Sequence, residues 1–296
     1  STNIKMDIFK FHIKIIKQLG YNFYNPINLN KDFDISRKHK IILLTVDDAF
    51  KSFYLEAWPY LRENKIPFIL FVSTQPVGKR GYMTWEQIKE VEKENFAFIG
   101  NHSHSHEYLI DYSFNKFKKD IDRSINTFEK KIGYNPIFFS YPFGEYNLAQ
   151  KKFIQKNFKY SFGQNSGVID INKDIYELPR FPINEKYGDL DRFKFLVDLL
   201  PLQYQSIIPN DKFIIKEANN PPVMKIKFFK DQENIHKINC YSNNGDDWSK
   251  TETFINDNIL NLKFKEKFNF RRGRVNCSLK DDSGWRWLGI QFTFKN

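Results

Sequence analysis

Thr45-Val46-Asp47-Asp48 closes an apolar run, and His102-Ser103-His104-Ser105-His106 follows further along the chain. Adjacent carboxylates at a strand end are costly unless something stabilises their charge, and histidines at metal-ligand spacing are suited to that task. His102 and His106 stand at i and i+4, a spacing that puts both imidazoles on one face of a helical turn. With one carboxylate they make a facial His-His-Asp set, leaving positions for water and substrate. A metal held there polarises a carbonyl and lowers the pKa of water, and the second carboxylate is free to act as general base. Residue types alone do not divide these roles between Asp47 and Asp48. Three alternatives stay open: the carboxylates cap the next helix; His102, His104 and His106 alternate along an extended segment as a three-histidine zinc site; or the facial set holds iron. Ser103 stands where an HExxH metalloprotease carries its glutamate, so that motif is excluded.

These groups need strands to carry them. Ile41 to Val46 is a continuous β-branched run, expected as a parallel strand covered on both faces and ending at Asp47. Phe68 to Val72 is a second buried strand, and Phe96 to Ile99 a third that delivers the histidines. Ile137 to Tyr141 is a fourth, ending in Pro142-Phe143-Gly144. Helical stripes lie between them: Phe50 to Leu61, a run opened by a Thr84-Trp85-Glu86-Gln87 capping box, and Phe117 to Ile132 closed by Gly133. A further amphipathic helix from Ile4 to Leu19 precedes them, stopped by Gly20, and His12 within it is expected to be structural. Strand, chemical group, helix, repeated, predicts an α/β fold with a parallel sheet, its site at the carboxyl ends of the strands as in a β/α barrel. Residues 205–222, rich in Pro and Asn, are expected as a linker. Beyond them the period is two, as in Met224-Lys225-Ile226-Lys227-Phe228 and Leu288 to Phe294, which predicts a small antiparallel β-sandwich. The expected domains are 1–208 and 209–296.

With 17% aromatic and 27% charged residues in 296, the chain is a folded protein. Its net charge of +11 suits an anionic partner, but the lysines are scattered, so no nucleic acid is expected and peripheral contact with a membrane or cell envelope is. No apolar run is long enough to span a membrane. Cys240 and Cys277 form no CxxC pattern; they are one disulfide or two buried thiols.

Thr45-Val46-Asp47-Asp48-Ala49 resembles the T-F-D-D-G motif of the polysaccharide deacetylase (NodB-homology, carbohydrate esterase family four) family. His102-Ser103-His104-Ser105-His106 resembles that family's metal motif, with His104 at a variable position, and Tyr141-Pro142-Phe143-Gly144 resembles its R-x-P-[YF]-G turn. The motifs come in the family's order and the resemblance extends through Leu178-Pro179-Arg180, over roughly the first two thirds of the chain. It implies a distorted β/α barrel of the NodB-homology type, with Asp47 as general base and Asp48, His102 and His106 as ligands of a divalent metal, Zn²⁺ being the expected ion. It also implies that Phe143 offers a backbone N–H to the oxyanion, and that Tyr141, Pro142 and Gly144 line the substrate. Ser140 occupies the family's usual arginine position, and Arg180 resembles the arginine that replaces it in the poly-N-acetylglucosamine deacetylase branch. Ala49 replaces the motif glycine.

The activity this implies is metal-dependent hydrolysis of N-acetyl groups on an N-acetylhexosamine glycan outside the cytoplasm. No L-x-H motif follows His106 to supply a general-acid histidine; in the resembled branch that residue lies in a Tyr-His segment ahead of the first helix, and Ser1-Thr2-Asn3-Ile4 is expected to start just after it. A carbohydrate-binding or assembly protein with weakened turnover, and a hydrolase of small non-sugar amides, are the alternatives. Trp248, Trp285 and Trp287 suit sugar stacking or a sandwich core equally, and the sandwich is expected to influence glycan access rather than chemistry.

Overall fold

The computed structural model describes residues 3–29, 40–215, 219–245 and 247–295. The opening Ser1-Thr2 and residues 216–218 of the expected linker therefore lie outside the described residues. The N-terminal part is built on a five-stranded parallel sheet whose strands neighbour one another in chain order: Leu44–Val46, Phe68–Val72, Ala97–Asn101, Phe138–Ser140 and Tyr160–Phe162. Helices Trp58–Glu63, Trp85–Glu92, Phe114–Ile132 and Leu148–Asn157 connect successive strands. Sequential order and uniform direction curl such a sheet, here into a half-barrel. Every residue of Phe68–Val72 is buried, as a central strand covered by helices requires.

The first strand departs from expectation. The apolar run breaks at Leu43: Ile41–Ile42 pairs with Asn22–Phe23 in a separate two-stranded sheet, and Leu44–Val46 forms an edge of the main one. An edge strand has one neighbour, and all three of its residues are only half-buried. The Phe50 to Leu61 stripe is not one helix either. Pro59 has no N–H to donate, and a π-helical turn Phe53–Ala57 precedes the α-helix, with the Trp58 N–H reaching Phe53 O. The capping box forms as expected: Gln87 N donates to Thr84 Oγ1 at 3.3 Å and Thr84 N to Gln87 Oε1 at 2.9 Å. Gly133 ends its helix at φ 89°.

The C-terminal part consists of two sheets that share one apolar core. A four-stranded antiparallel sheet orders Glu252–Asn256, Ile259–Lys263, Met224–Lys227 and Ser206–Ile208. A six-stranded sheet is centred on the long hairpin Arg272–Asp281 and Gly284–Lys295, with Asn239–Asn243 and Trp248–Lys250 beyond it. Phe213–Ile215 and Leu200–Pro201 add to Gly284–Lys295 in parallel. Met224, Ile226 and Leu260 from one sheet pack with Val275, Leu279 and Phe292 from the other. The expected linker thus contains strands of its own, and Leu200–Pro201 and Ser206–Ile208, ahead of residue 209, already pair within these sheets. Cys240 and Cys277 stand directly opposite each other on neighbouring strands and are joined as a disulfide.

Candidate active site

Asp47 and Asp48 leave the first strand of the half-barrel on a backbone that turns sharply, with φ 75° at Asp48 and 52° at Ala49. The motif glycine would take this left-handed geometry freely; Ala49 takes it under strain, fully enclosed at 1% exposure. The histidines come from the loop after Ala97–Asn101, two strands away. That loop is irregular rather than the helical turn their spacing suggested, with φ 71° at Ser103 and 55° at His106. Its path is fixed by buried polar groups. Asn101 Oδ1 accepts the Ser103 N–H at 2.8 Å, Ser103 Oγ accepts the His106 N–H at 3.1 Å, and Asp120 Oδ1 accepts the His104 N–H at 2.9 Å.

This path brings Asp48, His102 and His106 together, with one potential ligand atom from each and all of those atoms within 4.8 Å of one another. Asp48 Oδ1 lies 3.1 Å from His106 Nε2 and 3.7 Å from His102 Nε2. These spacings bracket the ~3.3 Å that separates ligands about 2 Å from a tetrahedral centre. His102 fits a metal in a second way. Its Nδ1 donates to Ser140 O at 2.7 Å, which leaves Nε2 as the lone-pair nitrogen, and that atom is buried with no partner among the described residues. Burial lowers the His106 pKa, as does the neighbouring His102, against the opposing pull of Asp48 and Asp47. Neutral imidazole is the form a metal needs. His104 points elsewhere: its Nδ1 pairs with Thr74 Oγ1 at 2.7 Å, and it is outside the trio.

Asp47 is held apart from the trio by Arg180. The guanidinium donates Nη1 to Asp47 Oδ1 at 2.7 Å and Nη2 to Oδ2 at 2.9 Å, a two-pronged fork. Its other donors go to Thr45 Oγ1, Ser140 Oγ and Gly163 O, so the arginine is rigidly aimed. Desolvation alone would raise the Asp47 carboxyl, but Arg180 and then His102 outweigh it and hold the pKa below its ordinary value. Asp47 Oδ2 lies 4.0 Å from His102 Nε2, beside the trio. Ser140 therefore serves twice, its hydroxyl receiving Arg180 and its carbonyl receiving His102.

The facing wall is the turn Pro142–Gly144. Phe143 sits at φ 60°, and its ring is 4.9 Å from that of His106. Gly144 at φ 67° must be glycine, because a Cβ there would come within 2.6 Å of Gln164 N. The N–H groups of Tyr141, Gly144 and Glu145 are all taken by backbone carbonyls, whereas that of Phe143 has no partner among the described residues. Tyr141 does not suit the substrate-lining role expected of it. Its side chain is 1% exposed, accepts a hydrogen bond from Ser161 Oγ at 3.3 Å and packs on Tyr146. Pro142 and Gly144 are buried too and contribute turn backbone.

Several supports were missed in the sequence. Asp120 and Ser124 interrupt the buried stripe of helix Phe114–Ile132, a legible sign of a polar task on that face. Asn101, Thr74, Tyr108 and Glu145 carried no comparable signal. Trp287, offered as a sugar platform, donates to Ser166 O at 3.2 Å and packs near Phe181 and Phe195, between the two parts of the chain. Trp248 and Trp285 are exposed.

Fold and site together define a curled β/α half-barrel with a candidate metal trio and a separately held carboxylate at the strand ends. Residues 34–161, which include the first four strands of the half-barrel, match the family model described as polysaccharide deacetylase. Over 180 residues the chain is 24% identical to the putative polysaccharide deacetylase YxkH of Bacillus subtilis, covering 60% of this chain and 64% of that protein. Over 170 residues it is 24% identical to the poly-beta-1,6-N-acetyl-D-glucosamine N-deacetylase of Staphylococcus aureus, covering 53% and 57%. The chain thus spans less than two thirds of the length of these curated relatives. Among solved structures, the Streptococcus pyogenes deacetylase PplD in complex with acetate aligns with a TM-score of 0.56 at 24% identity, covering 62% of this chain and 83% of that one. IcaB from Ammonifex degensii aligns at 0.56 and 22% identity, covering 66% and 89%. At these identities the structures speak for the fold.

Proposed function

We propose that this chain is a divalent-metal-dependent N-deacetylase acting on N-acetylhexosamine units of a glycan outside the cytoplasm. The observation that carries the proposal is Asp47, an ionised carboxylate fixed by Arg180 and set beside, but not within, the trio of Asp48, His102 and His106. Those three residues would hold the ion, expected as Zn²⁺, which when bound supplies polarisation of the acetamido carbonyl and a lowered water pKa. Asp47 takes the proton of the attacking water, and Arg180 keeps the carboxylate oriented throughout. The Phe143 N–H donates to the carbonyl oxygen as it gains negative charge. The C–N bond breaks, the nitrogen takes up a proton, and amine and acetate leave.

The two other buried histidines, His104 and His12, lie outside the trio and are not assigned that proton. His104 Nδ1 is paired with Thr74 Oγ1, and His12 Nε2 donates to Gly188 O at 2.8 Å while its ring stacks on Phe193. Residues 1–208 are proposed as the catalytic unit and 209–296 as an accessory one. The disulfide supports an oxidising compartment. Among the described residues no helix is long and apolar enough to cross a membrane, and the net charge of +11 suits contact with an anionic envelope surface.

The test is metal content measured together with acetate release from defined β-1,6-linked N-acetylglucosamine oligomers. Bound metal with acetate release supports the proposal. Oligomer binding without release favours the binding-protein alternative, and release only from small non-sugar amides favours the other.

A further inference from the structure

We propose that the C-terminal sheets are a working part of the active site: Gln291, Arg271 and Arg272 brace the turn Pro142–Gly144 and keep the Phe143 N–H aimed at the oxyanion position. In assigning that N–H to the oxyanion, the inference rests on the deacetylase function proposed above.

The turn needs bracing. A phenylalanine at φ 60° occupies the left-handed region that non-glycine residues avoid, and it persists only where the surroundings over-determine it. Part of that support is local, in the Gly144 and Glu145 N–H bonds to Tyr141 O at 2.9 Å and Pro142 O at 3.2 Å, and part comes from far along the chain. Gln291 Nε2 donates to Phe143 O at 3.0 Å and to Gly144 O at 3.3 Å. Both carbonyls are thereby fixed in direction, and with them the peptide planes on either side of Gly144, the first of which joins the Phe143 N–H through the Phe143 Cα. Glu145, the next residue, has a side chain only 1% exposed, and its carboxylate is gripped from the same sheet. Arg271 donates to it from Nε at 2.9 Å and from Nη2 at 2.7 Å, and Arg272 from Nε at 2.7 Å. A buried carboxylate with two guanidiniums is a directional anchor, because leaving any of the three unpaired there is costly.

The aromatic side of the turn is clamped as well. Tyr108, just after the histidine loop, stacks on Phe143 with ring centroids 4.3 Å apart. The Arg271 guanidinium lies 4.1 Å from the centre of the Tyr108 ring, and that of Arg272 lies 5.2 Å from the Phe143 ring. Arg271 Nη1 also reaches Asp111 Oδ2 at 2.9 Å. The same two arginines therefore tie the oxyanion turn to the segment that follows His106. Arg272 and Gln291 lie near facing positions of the long hairpin, whose register pairs Arg274 with Gln291 and Arg272 with Thr293. One rigid hairpin thus delivers the brace.

The experiment compares the full chain with Gln291→Met, Arg272→Met and Glu145→Gln variants. Hydrogen–deuterium exchange of the segment 141–147 reads the turn directly, without any need for turnover. In Gln291→Met its exchange is expected to rise at least about tenfold while the half-barrel strands stay protected. Removing an oxyanion donor outright costs roughly 10²–10³ in kcat, so a loosened one is expected to cost at least about tenfold, with KM and metal content near those of the parent. Glu145→Gln removes the buried charge that both arginines face, leaving Arg271 only Asp111, and risks unfolding; Gln291→Met changes no charge and keeps the test decisive. Unchanged exchange in segment 141–147 for folded Gln291→Met and Arg272→Met would overturn the brace, as would a looser turn with unchanged kcat. If the parent chain, loaded with metal, releases no acetate, the deacetylase reading fails instead, and the exchange result still decides whether the hairpin holds the turn.

Discussion

The carboxylate wall of the site and the turn facing it are held by different means. Asp47 is fixed from within the half-barrel: Arg180 follows the last strand of the parallel sheet, and Thr45, Ser140 and Gly163, its other partners, all lie on or beside that sheet. The Phe143 turn is fixed in part from outside, by side chains 126 to 148 residues further along the chain. The first arrangement is self-contained, since the strands that carry the groups also carry their supports. The second makes the proposed oxyanion turn depend on a hairpin of the C-terminal sheets. The candidate metal trio and the proposed base Asp47 are thus expected to tolerate disturbance of the C-terminal sheets better than the proposed oxyanion turn does.

The largest effects should come from the trio. His102→Ala or His106→Ala should bring metal per chain close to zero and turnover with it, as measured by elemental analysis and acetate release. His104→Ala should keep most of the metal, because that ring bonds to Thr74 instead. Equal loss at all three histidines would show that the loop rearranges into an alternating three-histidine site. Next comes Asp47→Asn, which should keep its metal yet lose about 10²–10⁴-fold in turnover, since an amide cannot take the proton. Near-normal turnover there, at full metal content, would place the base elsewhere. Arg180→Met follows. It should cost about 10–100-fold with metal retained, the range typical of losing a group that orients another. An Arg180→Lys variant should recover little, because an ammonium cannot reproduce the two-pronged fork.

Much of the carboxylate wall could be seen in the residues. Asp47-Asp48 after an apolar run and histidines after another place chemistry at strand ends, and the parallel sheet delivers them there. What could not be seen was how the histidine loop bends. The i, i+4 spacing suggests a helical turn, whereas positive φ at Ser103 and His106, supported by Asn101 and Asp120, makes the rings meet. The hairpin hid its task for a different reason. Alternation of Val275, Cys277 and Leu279 with Arg272, Arg274 and Asn276 reads as a sheet with one face in the core and one in water. In the fold the polar face lies against the half-barrel, and Gln291 and Thr293 are as buried as core residues. Period two states that the faces differ, not what covers the second.

The smallest expected effect on turnover separates stability of the C-terminal sheets from their grip on the turn. Cys240 and Cys277 close a separation of 37 residues, and a cross-link of that span contributes about 3–4 kcal/mol in the loop-entropy account. Replacing both with serine should lower the thermal midpoint clearly. Cys277 shares its strand with Arg272, but the burial alternation puts them on opposite faces, the cysteine in the apolar core and the arginine toward Glu145. Below the new midpoint the hairpin should still present Arg271, Arg272 and Gln291 unchanged, so kcat and metal content should stay within about twofold of the parent by the expected independence of well-separated sites. Thermal melting followed by acetate release at a temperature where both proteins are folded makes the comparison. A tenfold fall in kcat in that folded double variant would mean that the core of the sheets, and not only the face laid against the half-barrel, sets the geometry of the turn.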